Sequence, residues 1–342
     1  MGSVEGTCRA GWRGRLGAAV VAVVPVVAVV GAAPPTEVGA AASGQAGGRG
    51  AVDLLGVESE ALDINDRGVV VGYYVPGDDG VRHGFRRSAR GRVIDLGPGR
   101  AQAVNDAGVV VGERTGPDGM GHATRWTTAG SARDLGLPGS SSAFDINDHG
   151  TIVGDAGGRA FVIERGATPE LLAHPGDTPG SDTAVAINER GDIVGTLIAS
   201  DGTLRPLLWD GPDHLPTLLP ARRDLYDVRG INERGTIAGT TADELGRYQA
   251  VMWTGHDHRE IDVGEQGVYS LARAINDKGQ IVGVRYLTGE AFMWDPRTNR
   301  STILTGLTTV RNEAFGINDK GAIVGYSTTP EGKQLATLFA RR

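Results

Sequence analysis

The hydrophobic and polar positions of this chain follow a repeating pattern from residue 51 to its end. Short runs rich in Val, Ile, Leu and aromatic residues alternate with Gly, Asn, Asp and Pro, a pattern typical of β-strands joined by tight turns. One motif, Ile-Asn-Asp-x-Gly-x-Ile-Val-Gly, recurs seven times at intervals of 40 to 44 residues. Its asparagines are Asn65, Asn105, Asn147, Asn188, Asn232, Asn276 and Asn318.

Four columns of this motif hardly vary between the repeats. The residue before Asn is Ile or Val, the next one is acidic, and glycines follow three and seven positions after Asn. This spacing predicts a β-hairpin with a type I turn and a G1 bulge, in which the Asn side chain bonds to its own backbone. The alternative is a calcium loop, although the alternating oxygen ligands of such a loop are missing from most copies.

Two further strands complete each repeat. A third strand carries an aromatic residue, as in Ala291-Phe292-Met293-Trp294, and a fourth carries Asp-Leu-Gly, as in Asp134-Leu135-Gly136. Four strands in about 42 residues match the blade of a β-propeller. We therefore predict an all-β, seven-bladed β-propeller over residues 51–342, with the strand before each Asn innermost and the tryptophans of the third strands in the core.

The two ends of the chain fit this architecture. The last repeat lacks a fourth strand, while a spare Asp53-Leu54-Leu55-Gly56 segment precedes the first repeat. Pairing that segment with the last repeat completes seven blades and covers the open sheet edges. The sequence thus predicts a last blade that is closed by the N-terminal strand.

Residues 1–42 have a different character. Arginines precede an apolar run from Leu16 to Val30, and small residues follow. This order predicts a secretory signal peptide, with an uncleaved membrane anchor as the alternative. Residues 43–50 are read as a flexible lead-in. We expect a secreted protein, free or associated with the cell surface, with no membrane insertion after cleavage.

Composition narrows the possible partners. The formal net charge is −7 and basic clusters are missing, which argues against nucleic acid. The single cysteine, Cys8, lies in the predicted signal peptide, so the mature chain would form no disulfide. Glycine contributes 54 residues, about twice the usual share, as a fold rich in turns requires.

These motifs together resemble the HAF family of extracellular repeat proteins. The matching residues are His122-Ala123 with Trp126, Ala291 to Trp294, Asp134 to Gly136 and the seven hairpins. The histidine position holds His only at His83 and His122 and differs in the other repeats. The resemblance covers about residues 51–340. It implies export and a repeat fold, and it carries no catalytic residues over to this chain.

Motifs of known catalytic chemistry are not found, and we expect no cofactor. The sequence has no Gly-x-Ser-x-Gly, no His-Glu-x-x-His and no phosphate-binding loop. His256 and His258 could bind zinc, while a solvated polar loop is the alternative, and no metal is predicted.

The loops between strands two and three and between strands four and one vary most between repeats. Such loops on a repeated scaffold commonly carry binding sites. Their acidic residues predict a binding face that contains Asp78, Asp79, Asp118, Asp177, Asp182, Asp224, Asp243 and Glu244. We expect a monomeric, non-enzymatic binding module for a protein or glycan. The alternatives are a carbohydrate-active hydrolase or lyase of propeller fold and a calcium-stabilised structural protein.

Overall fold

A computed structural model of the chain describes residues 50–77, 80–176, 180–211, 213–222, 225–242, 245, 247–265 and 267–340. These residues form 26 β-strands and no α-helix, so the predicted all-β class is confirmed. No helix that could span a lipid bilayer occurs in this part of the chain.

The strands follow one another in a regular order along the chain. They are β1 (Val52–Ile64), β2 (Val70–Tyr74), β3 (His83–Arg87), β4 (Val93–Val104), β5 (Val110–Thr115), β6 (Gly121–Trp126), β7 (Ala132–Asp134), β8 (Ser141–Ile146), β9 (Ile152–Ala156), β10 (Arg159–Ile163), β11 (Glu170–Leu171), β12 (Gly180–Ile187), β13 (Ile193–Ala199), β14 (Leu204–Asp210), β15 (Leu215–Leu218), β16 (Leu225–Ile231), β17 (Ile237–Ala242), β18 (Tyr248–Thr254), β19 (Arg259–Asp262), β20 (Ser270–Ile275), β21 (Ile281–Arg285), β22 (Glu290–Asp295), β23 (Arg300–Ile303), β24 (Arg311–Ile317), β25 (Ile323–Thr328) and β26 (Gln334–Leu338).

The strands pair antiparallel in five sheets. Four sheets have four strands each, and one sheet has ten in the order β24-β25-β26-β1-β2-β3-β4-β5-β6-β7. The ten-stranded sheet arises because β1 and β4 are long and each pairs with two different neighbours. The start of β1 pairs with β26 through Val52 and Leu338, and its end pairs with β2 through Ile64 and Val70.

Two glycine columns of the repeat have separate physical reasons. The glycine three positions after Asn adopts a positive φ, as at Gly68 (φ 73°), and its N–H donates to the Asn65 carbonyl 3.0 Å away. The glycine seven positions after Asn lies against the backbone of the first strand. A Cβ at Gly195 would lie 1.8 Å from the Thr183 carbonyl oxygen, so no other residue fits there.

The hydrophobic core is divided between neighbouring repeats. One cluster joins Val153 and Val162 of β9 and β10 to Ile187 and Trp209 of the next repeat, and six similar clusters recur along the chain. Trp126, Trp209, Trp253 and Trp294 are all buried. The prediction that these tryptophans belong to the core is confirmed.

The seven motif asparagines link consecutive repeats. Each Asn Oδ1 accepts backbone N–H groups of its own turn, and each Nδ2 donates to the backbone oxygen of the Asn in the next repeat. The series returns to its start, because Asn318 Nδ2 donates to the Asn65 oxygen 2.9 Å away. The first strands β1, β4, β8, β12, β16, β20 and β24 are neighbours in the same order, and β24 lies against β1.

The acidic residue after each Asn forms a second series. The N–H of Asp66 donates to the Asp106 carboxylate at 2.9 Å, and the pattern continues to Asp319, whose N–H donates to Asp66. Every acidic residue therefore accepts a hydrogen bond from the preceding repeat. The invariance of this column comes from contacts between repeats as well as from the turn.

Candidate functional site

The two ends of the sheets carry different connections. In an antiparallel sheet with strands in sequential order, the connections from strand two to three and from strand four to one lie at the same end. We call this the variable-loop end. The opposite end carries the seven Asn turns, and we call it the Asn-turn end.

Exposed apolar side chains distinguish these ends. Within the described ranges, ten large hydrophobic residues are exposed, and three of them lie on the fourth strands β11 and β15. Val57 lies on β1, in the stretch of irregular register between Asp53 and Glu58. The other six belong to connections at the variable-loop end: Val81, Met120, Leu245, Tyr286, Leu287 and Val310. The Tyr286 ring also packs 4.9 Å from the Tyr248 ring, so this end presents aromatic surface.

Polar side chains gather at the same end of the first two strands of each repeat. The residue five positions before Asn pairs across the sheet with the residue eight positions after it. These first-strand pairs are Glu60–Tyr73, Arg100–Glu113, Ser142–Asp155, Thr183–Thr196, Asp227–Thr240, Leu271–Val284 and Glu313–Tyr326. Six of the seven pairs are polar and they differ between repeats, whereas the Asn column is constant.

Glu313 is the most completely partnered carboxylate of this set. It is buried and accepts hydrogen bonds from Arg273 Nε at 2.7 Å, the Tyr326 hydroxyl at 3.1 Å and Arg311 Nη2 at 3.4 Å. Arg273 also lies 5.6 Å from the centre of the Phe315 ring. The charge of Glu313 is compensated within the protein, and the two arginines are occupied by that role.

Glu60 occupies the matching position in the first repeat and has a different environment. Burial raises the pKa of its carboxyl, and the nearby Tyr73 hydroxyl and the guanidinium groups of Arg100 and Arg82 oppose this shift. Burial and Glu60 together raise the pKa of the Tyr73 hydroxyl. The Arg82 and Arg100 guanidinium carbons lie 4.6 and 4.9 Å from the centre of the Tyr73 ring, which is a cation–π geometry.

The Ser142–Asp155 pair contains acceptors without donors. Ser142 Oγ and Asp155 Oδ2 are buried, and neither has a hydrogen-bond partner among the described residues. Burial raises the pKa of Asp155 to about 6, with a further contribution from Asp182. Buried polar atoms of this kind are uncommon in folded proteins, so they mark this pair as chemically unusual.

The structure describes two of the eight residues of the predicted acidic face. Asp78, Asp79, Asp177, Asp224, Asp243 and Glu244 lie outside the described residues. Asp118 is exposed and binds the Met120 N–H and His122 Nε2, each at 3.0 Å. Asp182 is fully buried and accepts hydrogen bonds from the Ala160 N–H and His174. The structure therefore places Asp118 in a loop and Asp182 in the packing between repeats.

Two of the histidines named in the sequence analysis, His83 and His122, have acidic partners. His83 Nδ1 lies 3.1 Å from Asp95, the Asp of the Asp-Leu-Gly strand, and His122 lies 3.8 Å from the corresponding Asp134. His256 and His258 lie in the turn between β18 and β19, where His258 has a φ of 46°. Within the described ranges no three His, Cys, Asp or Glu side chains are grouped to hold a metal ion.

We did not predict the first-strand pairs from the sequence, because we expected the binding residues in loops. A signal was present, because polar residues occupy a strand position five before Asn in six of seven repeats. The constant motif positions around Asn lie at the opposite end of the same strand, at the Asn-turn end.

Comparisons with known proteins indicate the fold. No family model matches the sequence, and no curated protein matches it. Among solved structures, a streptogramin B lyase is similar with a TM-score of 0.60, 12% identity and coverage of 84% of this chain and 96% of that one. Virginiamycin B lyase from Staphylococcus aureus has a TM-score of 0.60 at 10% identity, with coverage of 85% of this chain and 98% of that one. YCF48 from Cyanidioschyzon merolae has a TM-score of 0.53 at 14% identity, with coverage of 85% of this chain and 98% of that one. At these identities the likeness concerns the fold alone, which is all-β and similar to propeller proteins.

Proposed function

We propose that this chain is a secreted, non-enzymatic binding protein that holds a protein or glycan ligand at its variable-loop end. The observation that carries the proposal is the distribution of exposed apolar side chains. All six that lie in connections are at this end, and the connections at the Asn-turn end carry none among the described residues. Exposed apolar groups that are collected on one surface are typical of interaction sites.

The divergence between the repeats supports the same surface. The Asn turns are nearly identical and are fully used in hydrogen bonds between repeats. At the other end of the same strands the first-strand pairs change from Glu–Tyr to Arg–Glu, Ser–Asp and Thr–Thr. A constant frame with a variable end is how repeat proteins present binding surfaces.

The architecture in this proposal is a seven-bladed propeller that β1 closes onto the last repeat. It is supported by the pairing of Val52 with Leu338, by the hydrogen bond from the Ala336 N–H to Ser59 Oγ at 3.0 Å and by the return of the Asn series to Asn65. Secretion, membership of the HAF family and a monomeric state belong to the same proposal and rest on the sequence features given above.

The test is a binding screen with the purified protein on arrays of glycans and cell-envelope proteins, with and without calcium. We expect a saturable hit whose ligand is recovered chemically unchanged. Recovery of a cleaved ligand would instead indicate a hydrolase or lyase. Binding or a melting temperature that depends strictly on calcium would favour the calcium-stabilised alternative.

A pair of matched variants locates the surface. Leu287 at the variable-loop end and Leu215 on β15 are 73% and 62% exposed, so replacing either by Asp disturbs no core. We expect Leu287→Asp to weaken the hit at least about fivefold and Leu215→Asp to leave it unchanged, because about 1 kcal/mol of apolar contact is lost in the first case alone. Equal effects of both variants would contradict the proposed surface.

A further inference from the structure

The exposed apolar side chains of the variable-loop end are distributed unevenly over the repeats. Among the described residues, Val81 and Met120 lie in the first and second repeats and are 41% and 42% exposed. Four more, between 44% and 76% exposed, lie in connections of the fifth and sixth repeats: Leu245, Tyr286, Leu287 and Val310. We call these four residues, together with Tyr248, the apolar arc.

Contacts between neighbouring repeats hold the apolar arc together. The Tyr286 ring lies 4.9 Å from the ring of Tyr248, the first residue of β18, and this contact joins the sixth repeat to the fifth. The Gly289 carbonyl accepts the Asn312 N–H at 2.7 Å, which joins the same connection to the start of β24, beside Val310. The connections of three consecutive repeats are therefore held side by side, and their apolar side chains belong to one surface.

The charged side chains at this end of the sixth repeat are paired with one another. Arg285 Nη2 lies 3.2 Å from Glu265, and Arg285 Nη1 lies 3.7 Å from Glu290. The connections of residues 286–289 and 304–310 contain no charged residue. Because a charge on a partner would find no unpaired counter-charge in these connections, electrostatic complementarity favours a partner that is uncharged where it touches the arc.

The side chains of the arc favour a protein over a glycan. A sugar ring packs its apolar face on a flat aromatic ring, but the four tryptophans of the third strands are buried. Tyr248 already lies against the Tyr286 ring. Leu245, Leu287 and Val310 have no aromatic face. Aliphatic side chains pack well against the apolar side chains that form the centre of protein interfaces.

The extent of the arc favours a short segment over a second folded copy of the chain. A stable interface between two folded proteins involves roughly 20–30 residues on each side. The apolar arc has five residues, and the two other exposed apolar side chains in connections at this end lie in the first two repeats. A segment of a few residues could cover this surface.

We propose that the apolar arc binds a short, uncharged segment of a partner protein through the aliphatic or aromatic side chains of that segment. The inference rests on the proposed binding function. It names the ligand as a protein, and it assigns the contact to the fifth, sixth and seventh repeats.

Selection of phage-displayed random peptides of about 12 residues on the purified protein tests this inference. We expect the selected peptides to share two or more Leu, Ile, Val, Met or Phe residues with no charged residue between them. A synthetic copy of the strongest peptide should bind with a negative heat-capacity change in calorimetric titration, because apolar area is buried. Raising NaCl from about 0.05 M to 0.5 M should change its affinity by less than about twofold, since no ion pair is formed.

Matched variants locate the peptide on the surface. Val310 in the arc and Met120 outside it lie at the same end and are 50% and 42% exposed. Val310→Asp and Leu287→Asp should each weaken peptide binding by about fivefold or more, whereas Met120→Asp should change it by less than about twofold. Equal melting temperatures would show that the three variants are folded.

Several results would overturn the inference. They are selected peptides without an apolar pattern, a loss with Met120→Asp as large as with Val310→Asp, or binding that falls steeply with salt. A dimer in analytical ultracentrifugation that Val310→Asp abolishes would identify a second copy as the occupant instead.

The proposed function fails separately. If a glycan is the one array ligand and its binding depends on Leu287 and not on Leu215, the binding function stands and the protein partner is wrong. If neither a peptide nor an array ligand binds, both are wrong.

Discussion

The asparagine series can be tested by removing one of its members. Asn232 is 3% exposed, and its side chain makes three hydrogen bonds. Its Nδ2 donates to the Asn276 oxygen at 3.1 Å, and its Oδ1 accepts the N–H groups of Arg234 and Thr236, each at 3.0 Å. Replacement by alanine removes all three bonds and supplies no substitute.

The expected loss follows from the groups left behind. The Thr236 N–H loses its partner in a region that water does not reach freely, which costs about 1–3 kcal/mol. The Asn276 oxygen keeps the Gly279 N–H and loses one bond worth about 0.5–1.5 kcal/mol. Asn232→Ala should therefore lower the free energy of unfolding by about 1.5–4.5 kcal/mol. In a folded unit of this size each kcal/mol lowers the melting temperature by about 2 °C, so a fall of about 3–9 °C is expected.

A matched control separates turn chemistry from the link between repeats. Asp201 also binds the N–H two residues further on, at 2.9 Å, but it is exposed and has no partner in another repeat. Asp201→Ala should lower the melting temperature by about 1 °C. Differential scanning calorimetry measures the melting temperature of both variants. If Asn232→Ala lowers the melting temperature by less than about 2 °C, as the control does, the hydrogen bonds of Asn232 between repeats do not stabilise the fold as argued.

Three further outcomes are expected. Gly195→Ala brings a Cβ to 1.8 Å from the Thr183 oxygen and should cost more than about 3 kcal/mol in urea unfolding, whereas Gly202→Ala, in open space, should cost about 1 kcal/mol. Trp209→Ala, which empties a fully buried site and removes the bond from Nε1 to the Ala173 oxygen, should cost about 3–5 kcal/mol in the same assay. Burial raises the pKa of Asp145 to about 7, above its unfolded value, so the stability linked to this group is present below about pH 4 and is lost as pH rises through 7. Between pH 5 and 8 the free energy of unfolding should therefore fall by about 1–3 kcal/mol more in the parent than in Asp145→Asn, because about two pH units at about 1.4 kcal/mol each separate pH 5 from the raised pKa. Urea unfolding at several pH values measures this difference.

Much of the fold could be predicted because the repeats of this chain can be compared with one another. Seven copies of one motif identify the turn glycines and the strands around them, and the all-β class and the buried tryptophans are confirmed. The number of blades and their closure remain part of the proposal. The sequence also predicts separate strands at Asp53 and before Asn65, whereas the structure has one strand, Val52–Ile64, with an irregular register between Asp53 and Glu58. The two segments are separated by only a few turn residues, so the backbone does not leave the sheet between them and both segments belong to one strand.

The candidate site was harder to predict than the fold. Repeat comparison shows that Asn and its acidic neighbour are constant, but it cannot tell a turn from a contact between repeats 40 residues apart, such as Asn65 with Asn105. Arg82 and Arg100 are separated along the sequence and meet at the Tyr73 ring only because β2, β3 and β4 are adjacent. Likewise, nothing in the sequence distinguishes the buried Asp182 from the exposed Asp118.

The pairing of β1 with β26 affects the chain while it is being synthesised. The hydrogen bond from Ala336 to Ser59 joins residues 277 positions apart. At about 5–20 residues per second, translation needs roughly 15–60 seconds to cover that distance. During this interval one edge of β1 has unpaired N–H and C=O groups, which could accept the last strand of another nascent copy. Exchange of strands between chains on the same message is therefore the misassembly to which this topology is most exposed.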